Sequence, residues 1–191
     1  MYDSIGCEFV SVFKPSDEEP VAVNNPHRLR LSKDGEGLKR GTQVGEGAIC
    51  EVAAYLLDNP SSAARYSKRE GEGFAGFPLT TMVKLHERFN HPRDYKESVK
   101  FGSLQMYIKN RGTCEGIDSR DFPVREVHKI FILDIRLANV DRHTGNILMT
   151  TDDEDRIVLV PVDHGNCLPK NFEQCFFCLA RRASSYSTVL P

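Results

Sequence analysis

No apolar run in this sequence approaches the roughly 20 residues that a helix needs to cross a bilayer. Met1 is followed by Tyr-Asp-Ser, without the charged and apolar regions of a secretory signal. An N-terminal myristoylation sequence is also missing. Together these absences predict a cytoplasmic protein whose contact with membranes is peripheral. An excess of either charge is lacking too. The 25 Lys and Arg against 27 Asp and Glu leave a net charge of −2, which gives nucleic acid no bulk attraction. The 6 cysteines are scattered, so reduced thiols are expected rather than a disulfide framework. Cys175-Phe-Phe-Cys178 has the spacing of a zinc ligand pair, but no second pair completes a site. What is present is globular in character: 40% hydrophobic, 27% charged, and 191 residues, enough for one domain or two small lobes sharing a cleft.

The stretch from Leu133 to Pro169 organises the chain. It holds two acidic centres, Asp141-Arg142-His143 with Asn146 close behind, and Asp163-His164-Gly165. Between them, Ile147–Thr150 and Ile157–Val160 are β-rich and flank the polar tip Thr151–Arg156, so the segment predicts a hairpin. A turn centred on Asp153-Glu154 puts Thr150 opposite Ile157 and Asn146 opposite Pro161. Asp163 then lies at the open end, beside Asn146 and Asp141. A carboxylate and an amide oxygen in one small site suit Mg²⁺, which favours hard oxygen ligands and phosphate partners. The remaining carboxylate can orient a hydroxyl or accept its proton, which is the division of labour phosphoryl transfer needs. Turn chemistry accounts for any one of these residues. It does not account for a second acidic cluster at the other end of the hairpin.

Upstream, Cys7–Pro15 predicts a strand in which Lys14 shares a face with Val10 and Val12. Such a lysine is either a solvated strand end or a point charge for phosphate. Residues 15–47 read as a long loop or insertion. Its two pieces Gly35-Glu-Gly37 and Gly45-Glu-Gly47 lack the strand and the further residues of a phosphate loop, so they predict turns. Ala48–Asp58 predicts a helix with Ile49, Val52, Ala53 and Leu56 on its apolar stripe, stopped by Asn59-Pro60. Glu51 is either a solvated residue of that helix or the partner of Lys14. Ser61–Gly76 predicts a connector, Phe77–His86 a strand and His86–Tyr95 a variable loop. Lys100–Ile108 predicts a short strand followed by a hinge. A helix from Pro123, with Val127, Ile130, Phe131, Asp134 and Leu137-Ala138 on one side, leads to Asp141. Arg181-Arg182-Ala183-Ser184 has the form of a basophilic phosphorylation site.

Strand-Lys, helix-Glu, hinge, helix, catalytic loop, hairpin and acidic turn follow one another in the order of a kinase fold. Asp141-Arg142-His143-Thr144-Gly145-Asn146 reads DRHxxN, as in phosphoinositide kinases, rather than HRDxxxxN. Residues 10–26, 34–58, 101–108, 122–149 and 160–175 resemble the gamma group of plant phosphatidylinositol 4-kinases, of the type II class. The resemblance implies an α+β, two-lobed, protein-kinase-like fold. Residues 1–104 form a partial N-lobe, 105–175 a partial C-lobe with hinge, catalytic loop and metal-binding segment, and 176–191 a divergent tail. It also implies ATP and Mg²⁺ as cofactors and phosphatidylinositol as acceptor. Lys14 matches the lysine on the ATP phosphates and Glu51 its helix partner. Ser103 to Tyr107, including Gln105, match the hinge that holds the adenine. Asp141 matches the catalytic aspartate, with His143 beside it near the transferred phosphate, and Asn146 and Asp163 match the metal ligands.

Family members carry a strand–turn–strand over the phosphates ahead of the position of Phe9, and further helices after Cys175; neither is found in this sequence. The fold is therefore expected to be incomplete at both ends, to expose apolar surface at Ile130 and Phe131, and to turn over weakly in isolation. Phosphorylation of protein Ser or Thr, and a non-catalytic binding role, are the alternative functions, because the activation segment that selects the acceptor is not recognisable here.

Overall fold

The computed structural model describes residues 1–3, 6, 8–59, 73–88 and 97–171. The Cys175/Cys178 pair, the tail from 176 on with its Arg181–Ser184 motif, and most of the two predicted connectors, at 60–72 and 89–96, lie outside the described residues. The fold is a mixture of helix and sheet. Strand β1 (Ser11–Pro15), helix α1 (Gly47–Asp58), β2 (Thr80–Arg88) and β3 (Glu97–Met106) come first. They are followed by α2 (Val124–Leu137), β4 (Ile147–Thr151) and β5 (Ile157–Pro161). Among the described residues no helix is long and apolar enough to cross a membrane.

The first three strands form an antiparallel sheet in the order β1-β3-β2, with Lys14 opposite Ser103 and Val83 opposite Gly102. Gly102 is required there, because a Cβ at that position would strike the Lys14 carbonyl oxygen. The chain leaves the sheet only after Met106, so a lobe boundary at residue 104 falls inside β3.

Helix α1 begins where the Glu19 carboxylate accepts hydrogen bonds from the N–H groups of Gly45 (2.7 Å) and Ala48 (3.1 Å). A distant acid thereby satisfies a helix N-terminus that has no cap of its own. The face this helix buries differs from the apolar stripe predicted for it. Ile49 and Leu56 are 58% and 61% exposed, whereas Ala48, Glu51, Ala54 and Asp58 are buried. The two buried acids explain the reversal. Asp58 accepts from the N–H groups of Ala75 (2.9 Å) and Phe77 (3.2 Å). Glu51 serves the site described below. Burial raises the Asp58 pKa, and the same N–H groups partly offset that shift.

Helix α2 starts after Pro123, whose fixed φ suits a helix entry. It ends at Ala138, in the left-handed conformation (φ 47°), whose N–H returns to the carbonyls of Asp134 and Ile135. Its buried residues are Glu126, Ile130, Leu133, Asp134 and Leu137. Of the apolar surface expected at Ile130 and Phe131, Ile130 is 2% exposed and Phe131 half-buried, whereas their neighbours Ile132 and Ile135 are exposed. Ile130 instead packs with Cys114, Ile147 and Leu159 under the hairpin β4–β5. The hairpin register is one residue from the prediction. Thr151 pairs with Ile157 and Ile147 with Pro161, because Asp152 rather than Asp153 anchors the turn, accepting from the N–H groups of Glu154 and Arg156.

A second apolar cluster joins the two halves of the chain. Ala54 of α1, Ala75 and Phe77, Leu133 and Leu137 of α2, and Cys167 pack together. Replacing Leu137 with Ala removes buried methyl groups from the centre of this junction. It is expected to lower unfolding free energy by about 2–5 kcal/mol in urea titrations, with an unchanged midpoint refuting the packing.

Candidate active site

Lys14 lies near the end of β1, and its ammonium meets carboxylates from both halves of the molecule. Nζ bonds Glu51 Oε1 of α1 and lies 3.3 Å from Asp163 Oδ1. Burial works against the Lys14 charge, but Glu51 and then Asp163 outweigh it and hold its pKa above the usual lysine value. Glu51 is 1% exposed. Burial raises its pKa, and the charge of Lys14 opposes the shift. The same Glu51 Oε1 accepts the backbone N–H of His164 at 3.1 Å. One carboxylate oxygen therefore fixes both the lysine and the turn that presents Asp163. Asp163 itself has φ 57°, a left-handed conformation that turns the chain sharply as it leaves β5.

The loop before β4 is built around Arg142, the middle residue of Asp141-Arg142-His143. Its buried guanidinium reaches Asp134 of α2 through Nε (3.0 Å to Oδ2) and Nη2 (3.1 Å to Oδ1). Nη1 donates to the carbonyls of Asn146 (2.6 Å) and Val162 (2.9 Å), and Nη2 faces His164 Nε2 at 2.6 Å. Arginine has no acceptor, so His164 Nε2 must accept and the ring proton sits on Nδ1. Burial, then the nearby charges of Arg142 and Lys14, hold the His164 pKa well below its ordinary value. Phe77 closes over the imidazole edge-on, ring centres 4.3 Å apart.

These anchors place Asp141. Its N–H donates to the Asn139 side chain (2.9 Å), and its carbonyl accepts from Asn146 Nδ2 (3.1 Å). Its carboxylate receives Asn166 Nδ2 at 3.1 Å and pairs with Lys39 Nζ at 2.7 Å. The segment read as a long loop or insertion is therefore part of the site. Gly37, Leu38 and Gln43 join Lys14, Asp141 and Asp163 around a cavity of about 420 Å³. A smaller cavity of about 290 Å³ continues past Lys14 and Asp163 to Asn146, Gln105, Tyr107 and Ile108.

The structure brings Lys14, Glu51, Asp141, Asn146 and Asp163 to adjoining walls of these two spaces. It does not bring Ser103 or His143 there. Ser103 is wholly buried inside β3, which runs three residues beyond it to Met106. His143 is exposed, its Nδ1 accepting the N–H of Gly145 at 3.2 Å, which ties it to the turn after Asp141. Gln105 lines the smaller cavity while its Nε2 donates to Thr80 Oγ1 at 3.1 Å. The Tyr107 N–H is engaged by the Val10 carbonyl at 2.9 Å. Lys39, Arg142 and His164 are the residues the sequence reading missed. The signal was present for the last two, each adjoining an acid of the two centres, but Lys39 lies in a stretch with no periodicity.

As a metal site, Asn146 and Asp163 supply oxygen donors only, and no group of three acids, histidines or cysteines gathers among the described residues. That suits Mg²⁺, which is commonly held by one or two protein oxygens together with substrate phosphates, and it does not suit an all-protein cage.

Residues 1–184 match the sequence model of the phosphatidylinositol 3- and 4-kinase family, and the chain belongs to that family. Within it, the chain is 59% identical over 182 residues to phosphatidylinositol 4-kinase gamma 3 of Arabidopsis thaliana, covering 93% of this chain and 32% of that protein. It is 60% identical over 173 residues to gamma 4 of the same plant, covering 90% and 30% of the two chains. It is 55% identical over 177 residues to gamma 4 of Oryza sativa subsp. japonica, covering 93% and 30%. The chain thus spans about a third of the length of the curated relatives it matches.

Two outcomes test this geometry. Lys14→Met and Glu51→Gln should each lower stability by less when the other is already replaced, with a coupling of about 0.5–3 kcal/mol in a double-mutant cycle; strict additivity would separate the side chains. His164, held neutral when folded, binds a proton only on unfolding. Stability should therefore be fully present above about pH 6.5 and fall by up to about 1.4 kcal/mol per pH unit below it. His164→Gln, which keeps an acceptor for Arg142, should flatten that fall in urea titrations between pH 7 and 5.

Proposed function

We propose that this chain is the catalytic part of an ATP- and Mg²⁺-dependent phosphatidylinositol 4-kinase. In this reading it transfers the terminal phosphoryl group of ATP to the 4-hydroxyl of the lipid. The observation that carries the reading is the single contact set of Lys14, Glu51 and Asp163, across one cavity from Asp141, in a chain of this family.

Each group has a role that its surroundings favour. The Lys14 ammonium offers phosphate oxygens a fixed positive charge, and Glu51 keeps it aimed because a buried carboxylate must keep a partner. Asp141 orients the acceptor hydroxyl and takes up its proton; Asn166 and Lys39 hold the carboxylate in place until substrate arrives. Asn146 and Asp163 would hold Mg²⁺, which neutralises charge on the phosphates when bound. Adenine would lie in the smaller cavity, against Gln105, Tyr107 and Ile108. The two proposed lobes meet in the residues just after β3. We place the protein in the cytoplasm, reaching its lipid by peripheral contact with a membrane.

The test is an assay sensitive to slow turnover, with ATP, Mg²⁺ and either phosphatidylinositol vesicles or a generic protein substrate. Lipid phosphorylated at the 4-position is expected, and Asp141→Ala should lower its rate by about 10²–10⁴-fold, the range for a lost general base. Phosphate on protein alone would reassign the acceptor. Nucleotide binding without turnover on either substrate would overturn the reading.

A further inference from the structure

Two thiols meet where α1 crosses the segment after Asp163, and the chemistry above uses neither. Cys50 directly precedes Glu51, and Cys167 follows His164 by three residues. The Cys50 thiol reaches the Cys167 carbonyl at 3.3 Å, and the Cys167 thiol lies 3.7 Å from the Cys50 carbonyl. Each side chain thus reaches the other residue's backbone, which sets the two thiols beside each other. Cys114, by contrast, is buried in the other apolar cluster, away from this crossing.

The crossing is fixed by contacts that do not involve sulfur. The His164 N–H is held by Glu51. Gly165 lies against the start of α1, where a Cβ would be in van der Waals contact, 3.6 Å from the Gly47 Cα. The Leu168 N–H donates to the Leu137 carbonyl at 2.8 Å. The sulfurs are therefore held side by side by the surrounding fold. Their exposure differs: Cys50 is half-buried and Cys167 is buried. The neighbouring Cys167 side chain holds the Cys50 thiol below its usual pKa. The Cys50 side chain, with burial, holds Cys167 above it. The more accessible sulfur is also the better nucleophile at neutral pH.

We propose that Cys50 and Cys167 form a reversible disulfide that fastens α1 to the Asp163 segment, made by exchange with a small-molecule disulfide of the glutathione type. The Cys50 thiolate attacks one sulfur of glutathione disulfide, breaking its S–S bond and releasing one glutathione thiolate. The buried Cys167 sulfur then attacks the Cys50 sulfur of the mixed disulfide and expels the second glutathione. Both thiol protons end on the two glutathiones, and the two electrons given up by the cysteines reduce the glutathione disulfide. The bond bridges two residues 117 positions apart and ties Glu51 to the turn that presents Asp163. The spacing of the cleft walls then depends on redox poise. None of this depends on the identity of the phosphoryl acceptor.

The full chain, equilibrated across ratios of oxidised to reduced glutathione, is acid-quenched, alkylated, digested and mapped by mass. A cross-linked pair of peptides containing Cys50 and Cys167, short of two hydrogens and rising with the oxidised fraction, is expected. Oxidation should raise the thermal unfolding midpoint, and dithiothreitol should reverse it. Cys50→Ser and Cys167→Ala should each abolish that shift, while Cys114→Ser leaves it. A chain with Cys7, Cys114, Cys175 and Cys178 all replaced by Ser should still form the link, which keeps the test valid if a Cys167 variant folds poorly. Cys50 recovered only as a glutathione adduct or paired with another cysteine, or both thiols still reduced at the most oxidising ratio, would overturn the proposal.

Discussion

The arginine in the loop before β4 is the piece on which the rest of the site depends. Arg142 binds α2 through Asp134, the start of β4 through the Asn146 carbonyl, the exit of β5 through the Val162 carbonyl, and the Asp163 turn through His164. These are the two ends of the hairpin, the helix beneath it and the acidic turn beside it. A lysine has one ammonium and no rigid fork, so it cannot serve four directions at once. Removing the arginine would leave Asp134 charged and buried with only Asn139 beside it. Loss of one partner from such a pair typically costs about 3–5 kcal/mol. Asp141 and His143 flank this residue in sequence, and of the two only Asp141 lines the cavity, so the loop is anchored at its centre while its edge faces the cleft.

Glu51 plays the corresponding part on the other side of the cleft. It is attached to α1, bonded to Lys14 of β1, and bonded to the His164 N–H. His164 is therefore gripped twice, by Arg142 at the ring and by Glu51 at the backbone. That residue is one of the links between the two halves of the molecule, alongside the Lys14–Asp163 contact and the apolar cluster around Phe77 and Leu137. A neutral imidazole is what this position tolerates, since a guanidinium and an ammonium both lie near it.

The elements of this fold could be read from the sequence more readily than their faces. Periodicity located α1, α2 and the β4–β5 hairpin, because their apolar residues recur at the right spacing. It failed for α1 at the level of orientation. The buried side of that helix carries Glu51 and Asp58, whose partners come from distant residues. A hydrophobic pattern has no means of registering an acid that is buried because something 113 residues away needs it. The hairpin slip by one residue has a similar origin, since the anchoring Asp152 sits among several acids that are interchangeable on paper. Of the site, Lys14, Glu51, Asp141, Asn146 and Asp163 could be picked out, because their order follows a phosphoryl-transfer layout. Ser103, matched to the hinge by resemblance, lies buried inside β3 and lines neither cavity. Lys39 had no local signature at all.

The contact between Lys14 and Asp163 joins residues 149 positions apart. A ribosome adds about 5–20 residues per second, so the strand that carries the lysine is made roughly 7–30 seconds before the aspartate that completes its surroundings. Even β3, the one strand paired with β1 among the described residues, follows it by more than 80 residues of chain. During synthesis, then, a β-edge with an unmatched cation waits in the open, and the cleft is a late event in the life of each molecule. Occupancy of the cleft is consequently a report on the stretch from β1 to the Asp163 turn: nothing shorter than that span can build it.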